Sequence, residues 1–450
     1  MRKLRELALR AELFGERFGE HFGERFGELH PVRAAALAAL FAATVALVFL
    51  ALLPASVQGN DSADYTEFYQ PVAHSLLRGE GLRSEGEVAA RYPPGFPAAL
   101  AAAIGAGRLV GLGETAAVGL LGLLGFAATA AALFRLGRAC HGAVAGWVAA
   151  AAFALYPPHL FLVKQPNSEL VFLPLLIFGL ELVWRSRRGD PRLAFAAGLV
   201  LGAGALVRPI ALGLFLPLGV FLLLFAGPPA APPAGRRRRL LLAAALAAGQ
   251  LLAMAPWVLH LEERTGRWVP LSTGGRLSML DGLTIGAKKD RPGPPLPAGV
   301  KALMREVDEA RPDLRSPGAI FAFLGERARR EPGTVAQLLA IKTARSFYGT
   351  DSLRYEGWLL AIQLPLLLLS AAALRLAVRR PEHEPWRPLA FLTLLVLLYF
   401  LAMTVLVLSI LRYLVPAMAL LFLLLAATAA EALGARPLKA GRPASPADPS

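Results

Sequence analysis

The chain has 450 residues, of which 56% are hydrophobic and only 18% are charged, and its mean hydropathy is +0.52. This composition excludes one or two soluble domains and predicts an all-α polytopic membrane protein. The formal net charge of +15 does not indicate nucleic-acid binding, because the arginines stand in short clusters between apolar runs. A single cysteine, Cys140, excludes an intramolecular disulfide framework and a cysteine-rich metal site.

Both ends of the chain are predicted to be cytoplasmic tails. No short apolar core precedes a small-residue cleavage site near the N-terminus, so the first 33 residues do not resemble a signal peptide. The C-terminal tail is rich in Pro, Ala and Ser and is predicted to be disordered. The predicted domains are a tail at 1–33, a catalytic bundle at 34–258 that includes a first outer loop at 58–114, an extracytoplasmic helical loop at 259–357, membrane helices at 358–435, and a tail at 436–450.

About ten segments are apolar enough to cross a bilayer, which takes about twenty residues. They are 34–57, 115–136, 142–160, 169–184, 192–208, 210–226, 240–258, 358–376, 388–408 and 413–431. Basic residues near short loops are retained in the cytoplasm, and arginine clusters such as Arg135 with Arg138 occupy every second connection. The alternate connections, including 58–114 and 259–357, are therefore expected on the extracytoplasmic side of the cell membrane.

Two further segments decide how the outer face is built. Counting the Ala/Gly-rich run 93–112 as another span would invert every later helix and place the arginine clusters outside, so it is predicted to be a juxtamembrane or re-entrant helix. The long loop after residue 258 has helical patterns at about 299–311, 317–331 and 334–348. These patterns predict a small helical cap over the outer membrane face.

The first outer loop is the densest polar stretch of that face. Asp61 and Asp64 are three residues apart and would share one face of a helix. A carboxylate at the membrane edge can accept a proton from a hydroxyl group, so the pair is a candidate general base. On composition alone, an ordinary solvated loop is the simpler interpretation.

A resemblance to a known family favours the catalytic interpretation. The stretches Asp61–Tyr65, Tyr69–Gly81 and Arg91–Pro97 resemble the first extracytoplasmic loop of the polyprenyl-phosphate-sugar-dependent enzymes of glycosyltransferase superfamily C, which includes protein O-mannosyltransferases and the aminoarabinose transferases of lipid A. Later landmarks of the family follow in its order over residues 35–430. They are Tyr156-Pro157, Ser168-Glu169, Val207-Arg-Pro209, Pro256-Trp257 with Val269–Gly275, and Arg412-Tyr413 with Pro416.

The resemblance implies an acidic base in the first outer loop and basic residues around the phosphate of the donor. The base matches Asp64, which precedes Tyr65 in a family-like Asp-Tyr pair, with Asp61 as the second choice. Tyr92 stands where the aminoarabinose transferases have a lysine before the Pro-Pro pair. The phosphate-binding candidates are Arg91, Lys164, Arg208, Arg345 and Arg412, with Arg276 and Lys342 also near the outer face; the substrate-binding candidates are Tyr65, Tyr92 and Glu169.

The function implied by the resemblance is transfer of a sugar, with inversion, from a polyprenyl-phosphate donor to an extracytoplasmic glycan, lipid or protein. No glycine-rich nucleotide-binding loop is present, no cofactor is required, and a divalent metal held by carboxylates is compatible with the site. His74 and His159 lack the spacing of zinc ligands. The alternatives are a transporter or flippase for a lipid-linked substrate and a non-catalytic envelope assembly protein. Span centres that are nearly free of charge favour surface chemistry over transport.

Overall fold

The computed structural model describes residues 29–54, 62–84, 87–227, 235–284, 295–379 and 386–433. Within these ranges the chain is almost entirely helical, as predicted. Asp61, nearly all of the tail predicted at 1–33, and the whole tail predicted at 436–450 lie outside the described residues.

The helices of the first half are α1 (Pro31–Leu52), α2 (Gln70–Leu77), α3 (Gly95–Leu109), α4 (Glu114–His141), α5 (Ala143–Leu155), α6 (Pro157–Val163), α7 (Glu169–Ser186), α8 (Pro191–Val207) and α9 (Phe215–Phe225). Those of the second half are α10 (Arg236–Thr265), α11 (Gly275–Leu283), α12 (Ala298–Glu309), α13 (Pro317–Arg330), α14 (Pro332–Arg345), α15 (Glu356–Arg379), α16 (Trp386–Leu406) and α17 (Leu411–Ala432). A π-helical turn (Tyr65–Tyr69) precedes α2, a 3₁₀ turn (Pro209–Ala211) follows α8, and two short strands, β1 (Arg83–Ser84) and β2 (Glu87–Val88), pair antiparallel.

Six of the described helices, α1, α4, α10, α15, α16 and α17, are long and apolar enough to cross a membrane, and α5 with α6 would make a seventh as one bent span. The chain is therefore a polytopic membrane protein, but the predicted count of about ten spans is not confirmed. The predicted span 142–160 is bent by 63° between α5 and α6, because Pro157 and Pro158 lack the amide donors that would continue the helix. The predicted span 210–226 consists of a 3₁₀ turn and the eleven-residue α9.

Close backbone packing between α4 and α7 fixes the position of α7 along α4. A Cβ atom at Gly125 of α4 would overlap the carbonyl oxygen of Leu170, so only glycine lets α4 and α7 approach this closely. The contact lies at the first turn of α7, which begins at Glu169. The position of Glu169 relative to α4 therefore depends on the absence of a side chain at Gly125.

The two ends of α7 carry separate charged clusters. Near its C-terminal end, the buried Glu181 carboxylate accepts from Arg135 at 2.9 Å and pairs with Arg185 at 2.5 Å. Glu169 lies twelve residues earlier, which corresponds to about 18 Å along the helix. Two of the arginine clusters that are predicted to be cytoplasmic thus meet at one end of the bundle, and the predicted catalytic landmarks lie toward the other.

The outer segments are helical as well. The segment predicted to lie along the membrane forms α3, whose fifteen residues span about 22 Å, less than the roughly 30 Å core of a bilayer. Its buried face includes Phe96 and Leu100. The three helices predicted in the long loop correspond to α12, α13 and α14, and together with α11 they enclose a core of their own around Leu280, Val300 and Leu338.

Candidate active site

Asp64 lies just before the π-helical turn and is held by a tyrosine from the same loop. The Tyr92 hydroxyl donates a hydrogen bond of 2.6 Å to Asp64 Oδ1, and Arg91 Nη2 lies 3.9 Å from the same oxygen. The Asp64 side chain remains 42% exposed. The carboxylate is therefore fixed in orientation and accessible to a substrate hydroxyl.

A layer of aromatic rings supports this pair. The ring of Tyr69 lies 4.9 Å from that of Tyr92 and 4.9 Å from that of Phe96, and Phe68 packs edge-on against Tyr92 at 5.0 Å. Burial raises the pKa of both Tyr69 and Tyr92 above the usual range of a phenol. Both hydroxyls are therefore protonated, and Tyr92 acts as a hydrogen-bond donor to Asp64.

The second group of the site is a buried carboxylate shared by two arginines. Glu169 is fully buried, and its Oε1 lies 2.6 Å from Arg208 Nη1. Arg412 binds the same carboxylate with two nitrogens, Nε to Oε1 and Nη2 to Oε2, the second at 2.9 Å. Arg208 also donates to Ser168 Oγ at 2.9 Å and lies over the ring of Tyr413 at 5.2 Å. Two guanidinium groups and one carboxylate leave this arginine cluster with a net charge of +1.

Three helix ends bring the cluster together. Glu169 is the first residue of α7, Arg208 directly follows α8 in an extended conformation before Pro209, and Arg412 is the second residue of α17. An unpaired guanidinium at the centre of a membrane helix costs about 2.5–3.5 kcal/mol, and although Arg208 and Arg412 lie nearer the helix ends, the carboxylate between them lowers the cost of burying them.

Tyr69 connects the Asp64 pair with the arginine cluster. Apart from burial, the charges that act on the pKa of its phenol are Arg208 and Arg412, which lower it, and Asp64 and Glu169, which raise it. All four charged groups therefore lie within electrostatic reach of one hydroxyl. Asp64 and the arginine cluster therefore lie near one another, around Tyr69.

The segment Val269–Gly275 closes one side of this site. Trp257 Nε1 donates to the carbonyl oxygen of Leu271 at 2.8 Å. The backbone N–H of Gly274 donates to the carbonyl oxygen of Arg91 at 3.1 Å. A Cβ on Gly274 would lie 2.6 Å from the same Arg91 oxygen, so glycine is needed for the approach. Landmarks from two distant parts of the sequence thus lie together beside Tyr92.

A cavity of about 300 Å³ adjoins the site between α3, α4 and the start of α7. Tyr65, Lys164 and Asn167 are among the residues that line it. The segment 164–169 contributes to both groups, because Asn167 lines the cavity and Glu169 belongs to the arginine cluster. The structure therefore places Lys164 and Tyr65 on the cavity side.

Three other basic candidates lie in contacts of the cap instead. Arg345 is buried and donates to both carboxylate oxygens of Glu356, at 2.9 and 2.8 Å. Lys342 donates to the carbonyl oxygens of Gly282 and Val407, and burial lowers its pKa to about 7. Arg276 donates to backbone carbonyls of the cap. These side chains are not brought together with Asp64.

Sequence reasoning missed several members of the site. It singled out Glu169, Arg208 and Arg412 separately but did not pair them, although a charge at the end of an apolar helix signals the need for a partner. Tyr69, Ser168 and Tyr413 belong to the family-like landmarks, but the sequence assigns them no separate role.

The described residues do not gather a metal-binding cluster. Across the described ranges, no three His, Cys, Asp or Glu side chains gather as metal ligands would. Both oxygens of Glu169 are occupied by arginines, and Asp64 accepts from Tyr92.

No protein-family model matches the chain, and no curated protein sequence does. Its fold matches solved structures of an oligosaccharyltransferase from Archaeoglobus fulgidus. One match is the complex of AglB with an inhibitory peptide and a dolichol-phosphate, with a TM-score of 0.55 and 13% sequence identity. Another is the form tethered to an acceptor peptide, with a TM-score of 0.53 and 13% sequence identity. The match covers 87% of this chain and 50% and 49% of the two neighbours.

The chain has the GT-C fold. The resemblance to glycosyltransferase superfamily C seen in the sequence is thereby confirmed at the level of the fold. A third structure of the same protein, in complex with Zn and sulfate, matches with a TM-score of 0.53 at 14% identity. The chain spans about half the length of these neighbours.

Proposed function

We propose that this protein is a glycosyltransferase that moves a sugar from a polyprenyl-phosphate donor to a hydroxyl of an extracytoplasmic acceptor in the cell membrane. The observation that carries the proposal is the pairing of an oriented, accessible carboxylate, Asp64, with a cationic cluster at the ends of apolar helices. The GT-C fold supports it, since one neighbour binds dolichol-phosphate.

The arginine cluster fits the phosphate of the donor. Its net charge of +1 attracts an anion, and Arg412 keeps a side chain that is 31% exposed while Arg208 is 11% exposed. Guanidinium groups bind phosphate oxygens with charge-assisted hydrogen bonds. The leaving phosphate gains negative charge as the glycosidic bond breaks, so the cluster stabilises the transition state more than the ground state.

The transfer is a single displacement at the anomeric carbon. The acceptor oxygen forms a bond to that carbon while the bond from the carbon to the phosphate oxygen breaks, and the electron pair leaves on the polyprenyl phosphate. The proton of the acceptor hydroxyl passes to Asp64 Oδ2 or Oδ1 and then to solvent. The hydrogen bond from Tyr92 holds the carboxylate in place for this transfer.

Inversion at the anomeric carbon follows from the number of available carboxylates. A retaining enzyme of the usual kind needs a second carboxylate as nucleophile. Both oxygens of Glu169 are engaged by Arg208 and Arg412, so Glu169 positions the arginines and does not attack the sugar. Among the described carboxylates of the Asp64 pair and the arginine cluster, Asp64 is then the one free to act as base, which favours one displacement with inversion.

The experiment uses the purified protein in lipid nanodiscs, a panel of radiolabelled polyprenyl-phosphate sugars, and a cell-envelope fraction as the source of glycan, lipid and protein acceptors. We expect label from one donor to enter one acceptor class, and Arg412→Gln to lower the rate by at least tenfold. A protein that carries labelled lipid across the bilayer without breaking the glycosidic bond would be a flippase. A protein that does neither would contradict catalysis.

A further inference from the structure

The cavity beside the active site has a mixed lining that differs from that of the arginine cluster. Its polar wall includes Gln70, Glu114, Lys164 and Asn167. Its apolar wall comes from α3, α4 and α7 and includes Leu100, Val118, Leu121 and Val171. Tyr65, which directly follows Asp64, also lines it. An amphipathic molecule in this cavity would therefore place its polar end close to the proposed base.

Asn167 presents a buried acceptor that the protein does not satisfy. The residue is 4% exposed, and its Nδ2 donates to the carbonyl oxygens of Leu162 at 2.7 Å and Gln165 at 3.2 Å, which fixes the orientation of the amide. Among the described residues, its Oδ1 has no hydrogen-bond partner. A buried acceptor without a donor is costly, and Asn167 lines the cavity, so a hydroxyl bound there would stabilise the Asn167 amide once a small shift turns Oδ1 toward it.

The remaining polar groups suit hydroxyls better than a bare phosphate. The Glu114 carboxylate accepts from Gln70 at 2.7 Å and lies 3.1 Å from His74 Nε2. A phosphodiester monoanion has no proton to donate to Asn167 Oδ1 and would be repelled by Glu114, whereas the hydroxyls of a sugar or polyol can donate to each of these acceptors. Lys164 belongs to the same polar wall, and its ammonium can donate to a hydroxyl oxygen or pair with a single negative charge. The cavity thus favours hydroxyl groups, and the arginine cluster favours a phosphate.

The cavity also has an apolar opening on the helix surface. Gly119 lines it, and a Cβ placed there would meet no atom within 4 Å, so the α4 surface is open at this position. The neighbouring Leu120 and Leu124 are 44% and 59% exposed, as expected of side chains that face lipid. A hydrocarbon chain can therefore leave the cavity along α4 into the bilayer.

We infer that this cavity binds the hydroxyl-bearing head of a lipid-anchored acceptor, whose chain leaves past Gly119. The inference rests on the proposed function, because it assigns the second substrate of the same site. The donor phosphate then occupies the arginine cluster. The acceptor hydroxyl approaches Asp64 from the side of Tyr65.

Two photoreactive probes with the same ten-carbon, diazirine-bearing chain test the assignment, one with a glucoside head and one with a phosphate head. Each is added to the full-length protein in phosphatidylcholine nanodiscs, and the cross-linked peptides are mapped by mass spectrometry. We expect the glucoside probe to label residues 114–124 and the first turns of α7. Gly119→Leu should reduce that labelling at least tenfold by filling the opening, while Leu120→Trp, one residue away on the lipid-facing surface, should leave it unchanged.

Asn167→Leu provides a second test and should weaken glucoside labelling by about fivefold, the effect of one lost hydrogen bond of about 1 kcal/mol. Thermal unfolding checks that each variant is folded. Labelling by the phosphate probe should be reduced by Arg412→Gln and unchanged by Gly119→Leu. Equal glucoside labelling in wild type and Gly119→Leu, or labelling of the cavity by the phosphate probe instead, would overturn the assignment.

These readouts separate the two proposals, because probe binding does not require catalysis. Glucoside labelling of the cavity in a protein that transfers no sugar would reject the proposed function and retain the cavity as a site for hydroxyl-bearing lipids. Sugar transfer to a peptide by a protein whose cavity takes no glucoside would retain the function and reject the lipid-anchored acceptor.

Discussion

Replacing Glu169 with glutamine removes the carboxylate that Arg208 and Arg412 share. The two guanidinium groups would then face each other without a counter-charge, next to a carboxamide that can accept only part of their hydrogen bonds. Loss of one partner from a buried charged pair costs about 3–5 kcal/mol. Glu169 is fully buried, but the Arg412 side chain is 31% exposed and partly screened by solvent, so we expect a loss in the free energy of unfolding near the lower end, about 3 kcal/mol.

Thermal unfolding in detergent, followed by far-ultraviolet circular dichroism, measures this effect. Glu80→Gln is the matched control, because its ion pair with Arg78 at 2.7 Å lies at the surface, and no measurable change is expected. Decyl phosphate should raise the unfolding temperature of Glu169→Gln more than that of wild type, since the anion replaces the lost charge. Wild-type unfolding of Glu169→Gln, or equal stabilisation of both proteins by decyl phosphate, would refute the reasoning.

Three further predictions concern other parts of the fold. Tyr92→Phe removes the 2.6 Å hydrogen bond to Asp64 and should lower kcat about tenfold with little change in KM, whereas Tyr355→Phe, at an exposed ring, should have no effect on transfer rates. Gly125→Ala should reduce accumulation of folded protein on size-exclusion chromatography through its overlap with Leu170, while Gly119→Ala should accumulate normally. Between pH 7 and 10 the free energy of unfolding of the wild type should increase as pH rises, because Lys342 is protonated in the unfolded chain but, with a pKa of about 7, mostly neutral in the folded one. The unfolding temperature of Lys342→Met should lack this rise. Parallel pH profiles of the two proteins would contradict the prediction.

Much of the helical architecture follows from the sequence because apolar runs and proline positions act locally. The segment 169–184 corresponds to α7, and the three cap helices lie where periodicity and Pro residues predict them. The break between α5 and α6 follows equally from Pro157 and Pro158, yet hydropathy averaged over 142–160 conceals it. Span number is harder to derive, because α7, α8 and α9 are short or carry charges that only packing against neighbours can justify.

The candidate site can be predicted only in part from the sequence. Asp64, Arg91 and Tyr92 lie in one loop, so a local motif predicts their proximity. Glu169 and Arg412 are 243 positions apart and meet only through helix packing. Arg345 is also a predicted phosphate-binding residue, but its guanidinium pairs with Glu356 at the start of α15. Which acid pairs with which arginine depends on tertiary structure that no local pattern records.

The central claim is that the Asp64 carboxylate removes the proton of the acceptor. Single-turnover sugar transfer by Asp64→Asn, compared with Glu67→Gln on the exposed face of the same turn, tests it most directly, with binding of the polyprenyl-phosphate donor measured in parallel. Loss of a general base typically lowers the rate by about 10²–10⁴-fold. We predict a loss in that range for Asp64→Asn with donor binding intact, and a wild-type rate for Glu67→Gln. Transfer by Asp64→Asn at the wild-type rate would contradict the assignment.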